Sequence, residues 1–273
     1  MRCHVRDLPV FYRAYGEGRP LLLLHGWGLD HRHMAHEMEP LFRGRRGWRR
    51  IYPDLPGMGR TPARDWIVNM DAILGVVVRL ADALVGPQRW VLGGMSAGGL
   101  LARGVVHHRA EQLDGLLLTA PVIVADDAQR DRPAPSSHVP ERGSSSGDER
   151  APAVPRTPEA TRLTDALQRY YAPASDSADH AFLDPIRQDP RRYGLGDLDS
   201  PGRPFPAPTL ILTGRQDSSV GFRDAWRIVE AYPRSTFVAL DGAGHTLAIE
   251  QQRLFRALVS EWLDRVEAYA DGG

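Results

Sequence analysis

Six short apolar runs of strand length constrain this chain more than any other feature of its sequence. The first is "LLLLHG" (residues 21–26), and the pattern returns in "RRIYPDLPG", "RWVLGGM", "LDGLLLTAPVI", "PTLILTGRQD" and "STFVALDGAG". A continuous apolar run has no polar face to offer water, so each such strand has to be covered on both sides. Helical patterns lie between the runs. "NMDAILGVVVRLADALVG" places Ile73, Val77, Leu80 and Leu84 on one face, and "LFRALVSEWLDRVEAY" does the same with Leu254, Leu258, Trp262 and Val266. Strands alternating with helices predict an α/β fold: a mostly parallel, doubly wound sheet with helices on both faces. Ahead of it, "PVFYRAYGEGRP" has two extended halves broken by "GEG" and reads as an edge hairpin.

One region breaks the rhythm. Residues 126–206 carry no strong strand signal. The stretch "RDRPAPSSHVPERGSSSGDERAPAVPRTPEA" is rich in Pro, Ser and alternating charge, with almost nothing to bury. A loop of this length does not fit inside a core, so it belongs outside. The expected organisation is therefore a core built from residues 1–125 and 207–273. Residues 126–206 form a helical lid inserted over the carboxyl edge of the sheet, with 127–160 mobile.

Bulk properties exclude several classes. A chain of 273 residues with 42% hydrophobic content supports one substantial core, and a formal net charge of zero favours neither nucleic acid nor an acidic membrane as partner. All 34 basic residues are arginine. The single Cys3 has no internal disulfide partner, which fits a reducing compartment. The amino-terminal stretch lacks the apolar segment of a signal peptide, and no run is long enough to span a bilayer. The expectation is a cytoplasmic monomer or homodimer acting on a small molecule. No metal cluster, phosphate loop or basic stripe stands out, so no cofactor is implied.

Ligands of open parallel sheets sit beyond the carboxyl ends of the strands. Four polar clusters fall at such ends: "HGWG", "GMSAGG", "GRQDSS" and "GAGHT". A serine hydroxyl is a poor nucleophile and needs a base. Ser96, on a tight turn between a buried strand and a helix, is flanked at the crowded positions by Gly94, Gly98 and Gly99. His245 is the one histidine of 10 at a late strand end and is the candidate base. A carboxylate must hold the imidazole in the right tautomer, and Asp217 has the position for it. Asp126 is the reserve acid and Asp241 a weaker one; a turn-capping role is the alternative for Asp217. The developing oxyanion needs two N–H donors, taken from the backbone of Ala97 and Trp27. His25 is expected to support the loop that carries Trp27.

"HGWG", "DLPGMGRT", "GMSAGG", "GRQD" and "GAGH" together resemble the α/β-hydrolase superfamily, specifically its lid-bearing esterase and epoxide-hydrolase-like branch. The resemblance implies Ser96 as nucleophile, Asp217 as acid and His245 as base, with Trp27 and Ala97 lining the oxyanion hole. It gives Asp54 and the neighbouring glycines a structural turn, with Thr61 where the family has serine. Serine at position 96, where epoxide hydrolases and haloalkane dehalogenases carry aspartate, directs the chemistry to acyl transfer. The expected activity is hydrolysis of a small or medium carboxylic ester or lactone. The competing readings are perhydrolase or haloperoxidase chemistry, C–C bond hydrolysis or lyase use of the same residues, and a binding protein without turnover.

Overall fold

The computed structural model describes residues 1–133, 158–196, 198 and 204–272. Eight strands form one sheet: β1 (Arg2–Val5), β2 (Leu8–Tyr15), β3 (Arg19–Leu24), β4 (Trp48–Pro53), β5 (Trp90–Met95), β6 (Leu113–Thr119), β7 (Thr209–Gly214) and β8 (Ser235–Leu240). Their spatial order is β1-β2-β4-β3-β5-β6-β7-β8. From β4 across to β8 every neighbouring pair is parallel, whereas β1 pairs with β2 and β2 with β4 in antiparallel fashion.

Each apolar run lies on a strand, but burial is complete only in the middle of the sheet, and the edge strand β8 is fully buried only at Leu240. Every residue of β5, β6 and β7 is buried, which requires cover on both faces of the sheet. The cover comes from α1 (His31–Met38), α2 (Met70–Val85), α3 (Ala97–Arg109) and the long carboxyl-terminal helix. Between β6 and β7 the chain forms α4 (Pro158–Ala166), a π-helical turn (Leu167–Tyr171), α5 (Ala172–Asp176), α6 (His180–Arg187) and α7 (Pro190–Tyr193), with no strand among the described residues. The short helices α8 (Arg223–Trp226) and α9 (Leu247–Glu250) precede α10 (Gln252–Asp271). No described helix is long and apolar enough to cross a membrane.

Three local expectations are corrected. The amino-terminal hairpin is β1–β2, one step earlier than the "GEG" break, because β4 inserts between β2 and β3. The leucines of β3 are buried on both faces, and a single antiparallel neighbour would have left that strand an edge. On α10, Leu254 is 50% exposed. The face that meets the core runs through Phe255, Val259, Trp262, Leu263 and Val266, so the apolar stripe is offset by one residue at its start. On α2, Ile73, Val77 and Leu80 are buried as the spacing predicts, while Leu84 is only half-buried.

Residues 134–157, most of the stretch expected to be mobile, lie outside the described residues. Residues 127–133 follow a 3-10 turn (Asp127–Gln129) and are hydrogen-bonded to the core. The described part of the insertion rests on the loops after β3 and β4 and on α1. Tyr193 meets Trp27 edge to face, Tyr171 meets His33, and the Asp179 N–H donates to the Gly57 carbonyl at 2.8 Å.

Candidate active site

The turn after β5 explains why glycines crowd around one hydroxyl. Ser96 caps α3 with φ 55° and ψ −118°, a region that L-residues seldom occupy. The surrounding backbone enforces it: the Ser96 N–H donates to Thr119, and its carbonyl accepts from Gly99, Leu100 and Val122. A Cβ added to Gly94 would come within 2.2 Å of the Gly98 carbonyl oxygen, and one on Gly98 within 2.4 Å of the Leu24 oxygen. Glycine is required at both positions by close approach of backbone to backbone, and the turn places the serine at the amino end of α3.

His245, in the loop between β8 and α9, points its Nε2 at Ser96 Oγ, 3.1 Å away. Its Nδ1 lies 2.9 Å from Asp217 Oδ2. Since the carboxylate can only accept, Nδ1 carries the proton and Nε2 is free to accept from the serine hydroxyl. The other oxygen of Asp217 accepts the N–H groups of Ser219 and Val220 at 2.8 and 3.0 Å. The turn-capping role is therefore present as well, performed by the oxygen that does not face the imidazole. The structure brings residues 96, 217 and 245 into one hydrogen-bonded chain.

The electrostatics follow from burial and pairing. Asp217 is fully buried, which alone would push its carboxyl up; the charge and hydrogen bond of His245 and the two backbone donors outweigh this and hold it below the usual carboxylate value. For His245, burial pushes the imidazole down, but the Asp217 carboxylate overrides it and the ring sits above its ordinary value of 6.5. Arg130 works against that rise and Glu250 with it.

The two sequence-predicted N–H donors flank this chain. Ala97 is the first residue of α3, so its N–H has no acceptor within the helix. Among the described residues, neither it nor the Trp27 N–H is hydrogen-bonded to another group. The loop bearing Trp27 packs onto the serine turn because Gly26 has no side chain there: a Cβ would lie 2.8 Å from the Met95 sulfur and 3.4 Å from Ser96 Cβ. His25 fastens the same loop. The Leu55 N–H donates to its Nε2 at 2.9 Å, so Nδ1 carries the proton and donates to the Gly26 carbonyl at 2.8 Å. Burial holds that imidazole below its usual value, consistent with a neutral structural ring. The "DLPGMGRT" turn is anchored by Asp54, which accepts the N–H groups of His31 and Arg60, and the Thr61 hydroxyl accepts the Phe11 N–H.

The reserve acids do not reach the imidazole. Asp126 caps the 3-10 turn through Ala128 and Gln129, and Asp241, at the surface, accepts from Gln216. His107 and His108 lie exposed near the end of α3. The aromatic pieces of the insertion pack against the body of the protein: Tyr170 stacks on His36, Tyr171 and Tyr193 cover His33 and Trp27, and Phe182 lies where a Gly57 Cβ would be. Arg191 and Arg192 are exposed.

Two residues near the site had no sequence signal. Glu250 on α9 accepts the Gly244 N–H at 2.8 Å, so it grips the backbone immediately before His245, and burial raises its carboxyl above the usual value. Arg130 reaches from the segment after β6 to the Ser219 carbonyl at 2.9 Å. Neither sits in a motif; the five-residue spacing from His245 to Glu250 is the one pattern that could have drawn attention. Among the described residues, one group could hold a metal ion, formed by Asp30, His31 and Asp54, whose ligand atoms lie within 4.8 Å of one another. Its acids are already engaged. Asp30 carries the guanidinium of Arg32, and Asp54 accepts from His31 and two backbone N–H groups.

Comparison with known proteins gives a consistent result. The sequence profile of a family described as "Alpha/beta hydrolase family" matches residues 21–258. The AB hydrolase superfamily protein YisY of Bacillus subtilis is 26% identical over 269 residues, spanning 93% of this chain and 94% of that protein. A pimeloyl-[acyl-carrier protein] methyl ester esterase of Aeromonas hydrophila is 27% identical over 276 residues, spanning 94% of this chain and all of the relative. Among solved structures, an alpha/beta superfamily hydrolase from Oenococcus oeni superposes with a TM-score of 0.79 at 24% identity, covering 94% of this chain and 96% of that one, and it speaks to the fold alone.

Proposed function

The chain belongs to the alpha/beta hydrolase family, and on that premise we propose that it hydrolyses small or medium carboxylic esters or lactones through an acyl group carried on Ser96. The observation that carries the proposal is the pair of contacts at His245: Nε2 at 3.1 Å from Ser96 Oγ and Nδ1 at 2.9 Å from Asp217 Oδ2. In this reading His245 takes the hydroxyl proton as Ser96 Oγ bonds to the acyl carbon. The carbonyl oxygen becomes an oxyanion held by the Trp27 and Ala97 N–H groups. The intermediate collapses, and the imidazolium gives its proton to the departing alkoxide. Water then repeats the sequence in place of the serine and releases the acid. Asp217 stays ionised throughout, orienting the ring and stabilising its charged form.

The strained backbone at Ser96 supports this reading, since a non-glycine residue is held at positive φ by four hydrogen bonds while its hydroxyl faces a base. The relative from Aeromonas hydrophila carries a methyl ester esterase name, so methyl esters head the substrate panel, followed by p-nitrophenyl esters of rising chain length and lactones. The test pairs turnover with covalent labelling by a fluorophosphonate. The expected result is labelling of the wild type and none of Ser96→Ala, with kcat in the variant lower by roughly 10⁴- to 10⁶-fold. Turnover by Ser96→Ala within about tenfold of wild type would reject the assignment.

A further inference from the structure

Where the chain leaves β6, one carboxylate gathers three arginines. Asp127 Oδ1 accepts from Arg187 Nη2 at 2.6 Å and pairs with Arg130 Nη1 at 2.5 Å, and Oδ2 pairs with Arg132 Nη2 at 2.6 Å. Two of these arginines lead to loops of the candidate active site. The guanidinium of Arg187, at the end of α6, lies 4.5 Å from the ring centroid of Tyr193, and Tyr193 in turn packs edge to face on Trp27 at 5.3 Å. The Arg130 side chain is only 3% exposed; it donates to the carbonyls of Val124 and Ala125 on its own segment and to the Ser219 carbonyl in the acid loop. The N–H of that same Ser219 donates to Asp217.

We propose that Asp127 is a positioning residue, which through Arg187 and Arg130 braces both the Trp27 loop and the Asp217 loop. The inference rests on the serine-hydrolase reading above, since it assigns those loops their tasks.

Isolated surface pairs contribute little, and Asp127 itself is half exposed. This pairing differs because Arg130 is buried and Asp127 is the one carboxylate it pairs with among the described residues. A buried guanidinium that loses its carboxylate is left uncompensated. The arrangement also reaches His245. The charged groups facing that imidazole are Asp217 from the β7 loop, Glu250 from α9 and Arg130 from the segment after β6. Those facing Asp127 are Arg130 and Arg132 from its own segment and Arg187 from α6; Tyr193 of α7 also faces Arg130. Arg130 disfavours the charged imidazole, and Asp127 offsets that field. Removing the Asp127 charge therefore lowers the pH at which His245 takes up its proton.

Asp127→Asn keeps the shape and removes the charge. Two quantities are measured on the folded variant: kcat with a p-nitrophenyl ester across the acidic limb of the pH profile, and the titration of the His245 ring by NMR, assigned with His245→Ala. The expected result is a fall in kcat of about tenfold, the scale of a small misplacement. The acidic limb and the ring titration should both move down by about half a pH unit. Arg187→Gln, which leaves Arg130 paired, should lower kcat and leave the titration where it was; it serves also if Asp127→Asn does not fold. A merely structural surface pair would move neither titration. Either quantity staying at its wild-type value in folded Asp127→Asn overturns the proposal, as does wild-type kcat in Arg187→Gln. If wild type and Ser96→Ala prove equally inert, the hydrolase reading fails separately, and the His245 titration still decides whether Asp127 acts on that ring.

Discussion

The loops that carry Ser96, His245 and Asp217 and the insertion between β6 and β7 lie against each other yet are held by different means. The first are fixed largely by main chain. Four hydrogen bonds clamp the backbone of Ser96, Gly94 and Gly98 permit carbonyl contacts that no side chain could share, and two N–H groups pin Asp217. The second is attached mostly by side chains. Tyr171 lies between His33 and Glu37, Tyr170 stacks on His36 and Tyr193 covers Trp27. A backbone clamp tolerates almost no substitution and specifies one geometry. Side-chain attachments can be exchanged singly, so the insertion tolerates changes that the serine turn does not.

Asp217→Asn presses hardest on the first region. The amide would present the wrong partner to Nδ1, and kcat should fall roughly 10⁴-fold, the size of a tautomer error, with little change in the urea midpoint. Gly98→Ala tests the backbone clamp instead of the chemistry. With a Cβ placed 2.4 Å from one carbonyl oxygen and 2.6 Å from another, the variant should lose about 3 kcal/mol in urea unfolding. A stable, active Gly98→Ala would mean that the turn is looser than its contacts imply.

The pH profile sharpens the comparison at intermediate scale. In the proposed mechanism His245 must be neutral to accept the serine proton, and its folded value lies above 6.5, so kcat/KM should fall as pH drops through a midpoint above that value. Glu250→Gln retains an acceptor for the Gly244 N–H but removes a charge that favours the imidazolium. The midpoint should move to lower pH by about half a unit, while thermal stability stays close to wild type. An unmoved midpoint would restrict Glu250 to fastening the loop.

The smallest effect belongs to the insertion. Tyr171→Phe removes a buried hydroxyl bonded to His33 at 2.8 Å and Glu37 at 3.2 Å. It should cost about 1–2 kcal/mol in unfolding and change kcat by no more than about threefold on a small ester. A larger loss of kcat would erase the distinction between the two regions and make the tyrosine part of the machinery.

Much of this was legible in the sequence because it is local. Apolar runs bounded by glycine mark β3 to β8, since a buried strand needs continuous apolar cover and a turn needs glycine where φ is positive or backbones touch. "GMSAGG" could be read residue by residue for the same reason. The errors also have local causes. Leu254 shares the spacing of the apolar stripe on α10 but lies one position off the face that meets the core, and burial falls instead on Phe255. The "GEG" break resembles a hairpin loop, yet strand order depends on which neighbour covers the leucines of β3, a choice no short window records.

The charged side chains divide along the same line. Asp126 and Asp127 are adjacent in sequence and equally plausible beside a strand end, yet one caps a turn while the other collects three arginines. With 34 basic and 34 acidic residues in the chain, almost any pairing is chemically acceptable, so composition cannot select one. The sequence by itself determined the strands, most of each helix face and the positions where serine, aspartate and histidine meet, because backbone sterics and apolar burial act over short stretches. The tertiary structure alone decided that Arg130 and Glu250 stand beside them and that Arg187 reaches Asp127. An ion pair has no period, and its partners are chosen only when distant segments are folded onto one another.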